Sequence, residues 1–389
     1  MRPGKVLELE LGQARGWLVI DCFIMGASWG GIRMAQDVTR AETEMLARLM
    51  TLKSSLAAIP VGGAKTGIAA DPLNVDKKNL IQKFVEKTKE LLVKGSYIPG
   101  SDIGFSEEDL QYLYSILGDR RRPTLHRGQS ILSDTGLAVA ESLHASIEAL
   151  KHIKNIEDVE MFSLQGFGNM GTAAAYLLGR RGYIMVAVSN RYHTLFDPKG
   201  LDIDQLLDLR TRHGENCLRI YAERNPASRL LPPKDITHIK TDIFVPGARP
   251  KTITGPIPCR IVAPIANYPI SVTTARILEH KGINIIPDII STAGGAIASA
   301  LTLLNRSFEE NRKTISKITH YNMKIAVTMA QRKNTTPLEE AYKKAWRRIN
   351  KLRASPLGIL EYAKTWTAVG ETNVFTQTPK IMKLWAAAS

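Results

Sequence analysis

The chain has 389 residues, of which 44% are hydrophobic and 23% charged, and its formal net charge is +15. This length suits two domains, and the composition is that of an ordinary globular protein with ample apolar material for its cores. No apolar run reaches bilayer length and charged residues interrupt the N-terminal segment, so we expect neither a membrane span nor a secretory signal. The cysteines are far apart and form no CxxC motif, which predicts a reduced, cytoplasmic compartment and no metal site.

The first predicted elements are a strand over residues 16–25, rich in β-branched and apolar residues, and a helix over 40–59 with apolar residues at helical spacing. The run IPVGGAKTGIAADP, residues 59–72, follows and indicates a tight, glycine-rich turn. It places Lys65 among small apolar neighbours that offer no obvious carboxylate. Glycines let the backbone approach a strand or a ligand closely. Lys65 therefore either reaches out of the turn into water or is held near a bound molecule.

Three further helices are predicted before the middle of the chain. An amphipathic pattern predicts a helix over residues 79–95, and a Ser-x-x-Asp capping box predicts a helix start at Ser106. A long helix is predicted over 135–153. From there to about residue 290, strands alternate with helices, which is typical of a parallel sheet with covered faces. The predicted fold class is α/β.

The run GFGNMG, which begins at Gly166, matches G-x-G-x-x-G. It follows the apolar strand VEMFSL and opens the predicted helix TAAAYLLGRR, the context of a dinucleotide-binding turn; a merely tight strand–helix turn is the alternative. Gly166 would permit the tight turn, Gly168 would let the backbone reach a pyrophosphate, and Gly171 would let the helix pack on the strand. The predicted cofactor-binding residues of this turn are Gly166, Phe167, Gly168, Asn169, Met170 and Gly171.

The next strand, YIMVAVSN, ends at Asn190. An acidic side chain is expected near this end to bind the ribose hydroxyls of NAD, but Ser189, Asn190 and Arg191 stand there instead. An uncharged strand end followed by a cation tolerates a 2′-phosphate, so the cofactor is NAD or NADP, with NADP favoured. Asn190 and Arg191 are candidate cofactor contacts, although Arg191 is equally consistent with a surface residue.

The elements divide into two domains, with the change near residues 135–150. We expect an N-terminal α/β domain over 1–135 that binds substrate, completed by C-terminal helices over 320–389, and a Rossmann-type dinucleotide-binding domain over 136–319, with a cleft between them.

The basic residues are concentrated late in the chain, where residues 301–389 contain 16 Lys and Arg against 6 Asp and Glu. The segment AYKKAWRRINKLR, residues 341–353, predicts an amphipathic helix with a basic outer face. Such a face is either solvated or attracts nucleic acid or anionic lipid. Because neither zinc-ligand spacing nor an RNP-type aromatic signature accompanies it, nucleic acid is disfavoured as a partner.

The polar candidates for chemistry lie in the first 135 residues. They are Lys53 on the C-terminal part of a helix, Lys65 in the glycine run and Asp102 on a probable loop between Gly100 and Gly104. Each of them taken singly is more often structural. Together, two lysines and an aspartate beside a dinucleotide suggest work on a carbonyl with a carboxylate nearby, because a desolvated lysine has a lowered pKa and acts as acid or base.

With these residues, the chain resembles the Glu/Leu/Phe/Val dehydrogenase family, whose members interconvert an L-amino acid with its 2-oxo acid and ammonia, over roughly residues 16–300. The motifs stand in the family's order. They are WGGIR from Trp29, the two lysines Lys53 and Lys65 spaced by 12 residues, SDIG around Asp102, the Thr-Gly at Thr135, the turn at Gly166, and PDIISTAGG ending at Gly295.

The resemblance implies a role for each matching residue. Lys53 would pair with the substrate α-carboxylate, Lys65 would polarise the carbonyl or activate water, and Asp102 would carry protons to and from the amino group. Hydride would pass between the substrate Cα and the nicotinamide. The backbone at Gly62 and Gly63 would lie close to the substrate. Thr135 and Asn267 would contact the cofactor.

Two positions bear on which amino acid is used, and they disagree. In glutamate-specific members, a lysine before the paired glycines binds the side-chain carboxylate of the substrate. Members that use nonpolar amino acids have an uncharged residue at this position, and this chain has Trp29 there. Trp29 either shortens the pocket or simply packs against a neighbouring helix. Ser299 resembles the glutamate enzymes, in which a serine helps to bind the distal carboxylate. A nonpolar amino acid is favoured, with glutamate as the alternative.

Two departures lie near the expected cofactor site. Tyr268 stands where the family has glycine after Ala-Asn, and Thr292 stands where it has asparagine before Ala-Gly-Gly. They leave open a catalytically silent relative that binds a dinucleotide and regulates another process. Retention of Lys53, Lys65 and Asp102 favours an active enzyme. The resemblance also implies a homo-oligomer.

Overall fold

The computed structural model describes residues 3–118, 132–302, 308–354 and 360–371. These residues form two compact units: the first contains the described residues up to 118 and again from Ala345 onward, and the second contains those from 132 to Lys344. The sequence predicts that the chain returns to the first domain at residue 320. In the structure, the residues that join the first unit begin at Ala345, within a helix, because the preceding long helix packs in the second unit.

The strands of the described chain are β1 (Lys5–Leu11), β2 (Ala14–Ile20), β3 (Ser28–Met34), β4 (Gly62–Ala69), β5 (Tyr97–Gly100), β6 (Met161–Gln165), β7 (Ile184–Ser189), β8 (Thr194–Phe196), β9 (Arg229–Leu231), β10 (Ile243–Pro246), β11 (Ile261–Val262) and β12 (Asn284–Ile285). The α-helices are α1 (Arg40–Leu56), α2 (Lys77–Val93), α3 (Glu107–Ile116), α4 (Asp134–Lys154), α5 (Asn169–Arg180), α6 (Ile203–His213), α7 (Cys217–Arg224), α8 (Val272–His280), α9 (Asp288–Ser291), α10 (Gly294–Thr302), α11 (Phe308–Lys333), α12 (Pro337–Ala354) and α13 (Leu360–Ala368).

The first unit is built on a five-stranded sheet in the order β1-β2-β4-β3-β5. The glycine-rich run around Lys65 is its central strand β4, paired antiparallel with β2 and parallel with β3, so the prediction of a tight turn was wrong. The glycines are needed for close approach rather than for a bend. A Cβ at Gly62 would overlap the carbonyl of Cys22, and one at Gly63 would overlap the backbone of Thr51 on α1.

Successive residues of β4 face opposite sides of this sheet. Ala64 and Ile68 point into the core that α2 and α3 cover, together with buried residues such as Phe84 and Leu113. Gly63 and Gly67 face α1, because a Cβ on either would meet a residue of that helix. Lys65 lies two residues from each of these glycines, so its side chain is on the same face of the sheet. The sheet therefore has one apolar face and one face on which charged side chains lie beneath α1.

Helix ends in the first unit follow the predicted signals. Ser106 and Asp109 form the complete capping box at the start of α3, which confirms that prediction. The carboxyl end of α1 is closed by residues from the end of the chain. Arg348 on α12 donates to the carbonyls of Ser55 and Leu56, and Trp366 on α13 donates to Ala58 O at 2.8 Å. Arg348 is buried, so it is not part of the basic outer face predicted for this helix.

The second unit contains a seven-stranded sheet in the order β12-β11-β10-β6-β7-β8-β9. The strands from β12 to β7 run parallel, and β8 and β9 are antiparallel additions. The chain starts at the central β6, proceeds outward to β7 and later returns to β10 on the other side of β6. In open α/β sheets, ligands bind at such a reversal, beyond the carboxyl ends of the strands.

Helices pack in the second unit, and their contacts show why the long helix α11 belongs to it. α4 packs against α5, α10 and α11, so the long helix α11 is held within this unit. The approach of α10 to α4 is close, because a Cβ at Gly294 would overlap the carbonyl of Ala138. In the part of the chain that the structure describes, helices with the length and apolar character of a bilayer span are absent.

Candidate functional site

Lys65 and Asp102 form a buried ion pair in the first unit. Lys65 lies on β4, Asp102 follows the end of β5, and Lys65 Nζ donates to Asp102 Oδ2. Their side chains are 7% and 17% exposed, respectively. The sequence neighbours of Lys65 offer no carboxylate, and its partner lies 37 residues later in the chain, so only the sheet brings the two together.

The loop that carries Asp102 is held by its own backbone. Asp102 and Phe105 exchange both backbone hydrogen bonds, at 3.1 and 3.0 Å. Gly104 between them has φ +73°, and a Cβ there would overlap Met34 O. The N–H of Ile103 donates to Asp102 Oδ1 at 2.7 Å. This oxygen of the carboxylate is therefore bonded to the loop, and the other is bonded to Lys65.

Two further charges extend the pair into a row. Arg33 on β3 donates through Nη2 to Asp102 Oδ1 at 3.5 Å and through Nη1 to Glu42 Oε1 at 2.6 Å. Glu42 belongs to the first turn of α1. The order Glu42–Arg33–Asp102–Lys65 alternates in sign, so each charge of the row lies next to a charge of opposite sign.

The environment sets the protonation states of the central pair. Burial raises the pKa of the Asp102 carboxyl, but the charges of Lys65 and Arg33 outweigh it and lower that pKa to about 2. Burial is also the largest influence on Lys65, and there it lowers the pKa of the ammonium; Asp102 opposes the change and Arg33 adds to it. Asp102 is thus an ionised acceptor beside a lysine that releases its proton more readily than an exposed one.

The other predicted substrate residues of the first unit lie on β3, β4 and α1. Trp29 is buried, and its Nε1 donates to Ser54 Oγ on α1 at 2.7 Å. Lys53 is the buried neighbour of Ser54 in the last turn of that helix. The hydroxyl of Thr51 accepts from the N–H of Gly63 at 3.1 Å, so the helix that carries Lys53 is bonded to the strand that carries Lys65. The indole thus packs against a helix, which was one of the two interpretations of Trp29.

The glycine turn of the second unit has the predicted strand–turn–helix context, between β6 and α5. Gly166 has φ +96°, and a Cβ at Gly171 would overlap its carbonyl, so packing explains both residues. Gly168 differs, because a Cβ there would meet nothing within 4 Å. It precedes α5, whose N-terminus receives no side-chain cap from the described residues. The turn therefore presents open space beside helix N–H groups that no described side chain caps, which suits a pyrophosphate.

The end of β7 is more constrained than predicted. The Asn190 side chain accepts from the N–H groups of Tyr192 and His193, both at 2.9 Å, and donates to Glu215 O at 2.7 Å. It thus shapes the loop that follows the strand. Arg191 is exposed and its guanidinium lies 5.5 Å from the ring centre of Tyr192. Contacts of either residue with a ribose stay a prediction.

The remaining predicted residues are also in the second unit. Thr135 is at the start of α4, where its side chain would lie 3.2 Å from a Cβ at Gly295. Asn267 follows β11, and Ser299 on α10 donates its hydroxyl to Gly295 O at 2.9 Å.

Tyr268 has φ +52°, a conformation that favours glycine, and its N–H is held by Asp288 Oδ2 at 2.7 Å. This explains why the resemblance implies glycine at that position.

The motif WGGIR contains Arg33, but the sequence predicts no role for Arg33 or for Glu42. One signal was present, because Trp29, Gly31 and Arg33 alternate along β3 and so share one face of the strand. The signal could not show which face, or that α1 would place Glu42 above it. Among the described residues, groups of three or more His, Cys, Asp and Glu that could hold a metal ion are absent.

Comparison with known families places these motifs in a wider group. The model described as Glutamate/Leucine/Phenylalanine/Valine dehydrogenase matches residues 132–355, and the model described as Glu/Leu/Phe/Val dehydrogenase, dimerisation domain, matches residues 7–117. An NAD-specific glutamate dehydrogenase of Staphylococcus aureus is 30% identical over 291 residues, 71% of this chain and 68% of the relative. A glutamate dehydrogenase of Aeropyrum pernix is 28% identical over 359 residues, 85% and 82% of the two chains.

Solved structures share the fold. Hetero-hexameric glutamate dehydrogenase from Thermus thermophilus, in its Leu bound form, has a TM-score of 0.79 at 24% identity and covers 91% of this chain and 90% of that one. L-tryptophan dehydrogenase from Nostoc punctiforme has a TM-score of 0.61 at 19% identity, with 90% and 97% covered. At these identities, the similarity establishes the architecture, and the two-domain α/β prediction is confirmed.

Proposed function

The chain belongs to the glutamate/leucine/phenylalanine/valine dehydrogenase family and is an NAD(P)-dependent amino-acid dehydrogenase, and we propose that it deaminates a nonpolar L-amino acid oxidatively and reversibly to its 2-oxo acid and ammonia. The observation that carries this proposal is the buried Lys65–Asp102 pair. Such a pair supplies a cation for a developing negative oxygen and a carboxylate for a proton, both shielded from water.

Lys65 acts on the oxygen of the substrate. An ammonium has three donors, so it can hold Asp102 and a carbonyl oxygen at the same time. In amination it stabilises the oxygen that ammonia attack makes negative, and in deamination its lowered pKa lets it accept a proton from attacking water. Asp102 carries protons to and from the substrate nitrogen, and its ionised state makes it the acceptor when an amino group enters.

Lys53 is proposed to hold the substrate α-carboxylate, since it is a buried cation on the helix that is bonded to β4. The backbone of Gly62 and Gly63 is proposed to lie along the substrate. Their lack of a side chain is already required by α1 and by Cys22, so this contact is supported by the resemblance and by the neighbouring lysine. Holding the α-carboxylate also orients Cα toward the cofactor, and this orientation lowers the reaction barrier in addition to strengthening substrate binding.

The turn between β6 and α5 is proposed to bind the pyrophosphate of the cofactor through Gly166, Phe167, Gly168, Asn169, Met170 and Gly171. Open space at Gly168 and the N-terminus of α5 support this fit. When bound, a nicotinamide cofactor supplies or takes the hydride at Cα. Thr135 and Asn267 are proposed further contacts. Ser189, Asn190 and Arg191 at the strand end favour NADP, whereas the Staphylococcus relative is named NAD-specific.

The uncharged Trp29 supports a nonpolar side chain in the substrate. Its indole is buried against Ser54 and cannot pair with a distal carboxylate. Glutamate is the second candidate, because relatives at 28–30% identity are named glutamate dehydrogenases and because Ser299 is present. A homo-oligomer is proposed from the match to a model described as a dimerisation domain. The free thiols Cys22, Cys217 and Cys259 support a cytoplasmic location.

The test is reductive amination with ammonia and NADH or NADPH, over 2-oxo acids from pyruvate and 2-oxoisovalerate through phenylpyruvate to 2-oxoglutarate. Lys65→Ala should abolish turnover, and Lys94→Ala, which removes an exposed lysine, should not. Turnover with apolar oxo acids supports the proposal. Turnover with 2-oxoglutarate alone replaces it with glutamate dehydrogenase, and cofactor binding without any turnover identifies a silent relative. The ratio of kcat/KM for NADPH and NADH decides the cofactor.

A further inference from the structure

We propose that Arg33, held by Glu42, is a positioning residue that orients Asp102 so that Oδ2, and not Oδ1, exchanges the proton with the substrate nitrogen. The inference rests on the proposed function, in which Asp102 carries that proton. It goes further by distinguishing the two oxygens of the carboxylate. It also gives a role to two charged residues, Arg33 and Glu42, outside the predicted site.

The two oxygens of Asp102 have different partners. Oδ1 accepts from the backbone N–H of Ile103 at 2.7 Å and from Arg33 Nη2 at 3.5 Å. Oδ2 accepts from Lys65. Oδ1 is thus directed at the backbone of the loop and at Arg33, whereas Oδ2 is directed at Lys65, the group proposed to meet the substrate. Oδ2 is therefore the oxygen placed to exchange a proton with the substrate nitrogen.

Arg33 can hold this orientation because it is itself held. Its Nη1 donates to Glu42 Oε1 at 2.6 Å, and the residue is 8% exposed. Glu42 is fixed in the first turn of α1, which Thr39 caps through a hydrogen bond to the N–H of Glu42. The guanidinium thus bridges a helix and the loop after β5. Without the bridge, the carboxylate is restrained by the Ile103 N–H and by Lys65 only.

The cost of burying Arg33 argues against a purely structural role. Its Nε is buried and has no hydrogen-bond partner among the described residues. A buried, incompletely bonded guanidinium is a poor source of stability, and well-packed apolar residues in place of buried ion pairs are often neutral or stabilising. A charge at this point is explained instead by what it does to Asp102.

The charged groups that face Asp102 come from two strands and a helix. They are Lys65 from β4, Arg33 from β3 and, behind Arg33, Glu42 from α1. Tyr97, at the start of β5, also lies near the carboxylate, and burial raises the pKa of its hydroxyl, so Tyr97 stays neutral at the pH of the experiment. Loss of the Arg33 charge therefore leaves Lys65 as the one remaining cation of this described group.

The experiment compares Arg33→Gln, Arg33→Lys and Glu42→Gln with wild type in steady-state amination. The controls are Arg40→Gln and Glu44→Gln, which remove an exposed Arg–Glu pair on the same helix. We expect Arg33→Gln to lower kcat by about tenfold to a hundredfold, as for a misplaced catalytic group, with the oxo-acid KM changed less than about threefold. In Arg33→Gln, the acid limb of the plot of kcat against pH should move to a higher pH by about 1 to 3 units, because an adjacent cation lowers a carboxyl pKa by that much.

Arg33→Lys keeps the positive charge but loses the planar guanidinium, which can bond two partners at once. Its kcat should therefore fall, while the acid limb of its pH profile should stay at the pH of wild type. Glu42→Gln should lower kcat with a smaller shift of the limb, and both controls should match wild type. Thermal melting and cofactor binding establish that each variant is folded. If Arg33→Gln does not fold, the fall in kcat of Arg33→Lys tests the inference instead. Superimposable pH profiles and equal kcat for wild type and the Arg33 variants overturn the inference alone. Absence of turnover in the wild type overturns the proposed function and the inference with it.

Discussion

Lys65 and Asp102 reach each other across an intervening strand. Lys65 is on β4 and Asp102 follows β5, while β3 lies between these two strands in the sheet. The crossing is possible because β3 has Gly31 at this point. A Cβ on Gly31 would lie 3.0 Å from Asp102 Cβ and 3.3 Å from Lys65 Nζ. The ion pair therefore occupies the space that a side chain at position 31 would take.

Gly31→Ala should consequently damage the site more than the fold. The added methyl would press on Asp102 and Lys65 and also lie 2.8 Å from Ser101 O, so we expect kcat/KM to fall at least about a hundredfold and stability to fall by about 1–3 kcal/mol, as in overpacked cores. Amination kinetics and urea unfolding measure the two effects. Gly255→Ala is the control, because a Cβ there meets nothing within 4 Å. Full activity in Gly31→Ala would contradict this account of the crossing.

The low pKa of Asp102 predicts a specific acid sensitivity. Its folded-state pKa of about 2 lies below the usual carboxyl pKa of 3.8, so its ionisation stabilises the fold above about pH 4, and this contribution disappears as the pH falls through 2. The difference corresponds to about 2 kcal/mol. Urea unfolding between pH 6 and pH 2 should therefore show wild type losing about 2 kcal/mol more than Asp102→Asn. Parallel curves for the two proteins would show that the carboxyl is not perturbed.

The sequence predicted local elements well because their signals are local. The helix expected over 135–153 is Asp134–Lys154, and the capping box at Ser106 is complete. The match of Lys53, Lys65 and Asp102 to family motifs selected the candidate pair. What it could not show is strand order. The glycine run has the local signal of a turn, because its close packing by α1 and by Cys22 is a tertiary property. The role of Arg33 has no local signal, because its partners Asp102 and Glu42 come from other elements.

Alanine substitutions at two glycines of the cofactor turn should have different effects, one on cofactor affinity and the other on stability. A Cβ at Gly168 meets nothing, so Gly168→Ala should cost at most about 1 kcal/mol, as expected for alanine at an N-cap, and weaken cofactor binding at least about tenfold. A Cβ at Gly171 would overlap Gly166 O, so Gly171→Ala should cost about 1–3 kcal/mol or more. Cofactor fluorescence titration and thermal melting measure the two quantities. Unchanged cofactor affinity in Gly168→Ala would argue against a pyrophosphate at this turn.

The carboxyl end of α1 depends on a residue from near the end of the chain. Arg348 donates to the carbonyls of Ser55 and Leu56 and, through Nη2, to Thr365 Oγ1 at 2.6 Å. A cation at a helix carboxyl end is favourable, and removing it leaves buried carbonyls without their donor. Arg348→Met should therefore destabilise the protein by about 1–3 kcal/mol, the cost of leaving buried carbonyls without a donor. Because Lys53 lies in the last turn of α1, the oxo-acid KM should rise as well.

The neighbouring arginine supplies the control for this variant. Arg347 is exposed on the same turn of α12, so Arg347→Met should change the free energy of unfolding by less than about 0.5 kcal/mol. Urea unfolding of both variants, with oxo-acid KM measured in parallel, separates a local role from a general effect of lost charge. Equal stability of the two variants would mean that the end of α1 is held without Arg348.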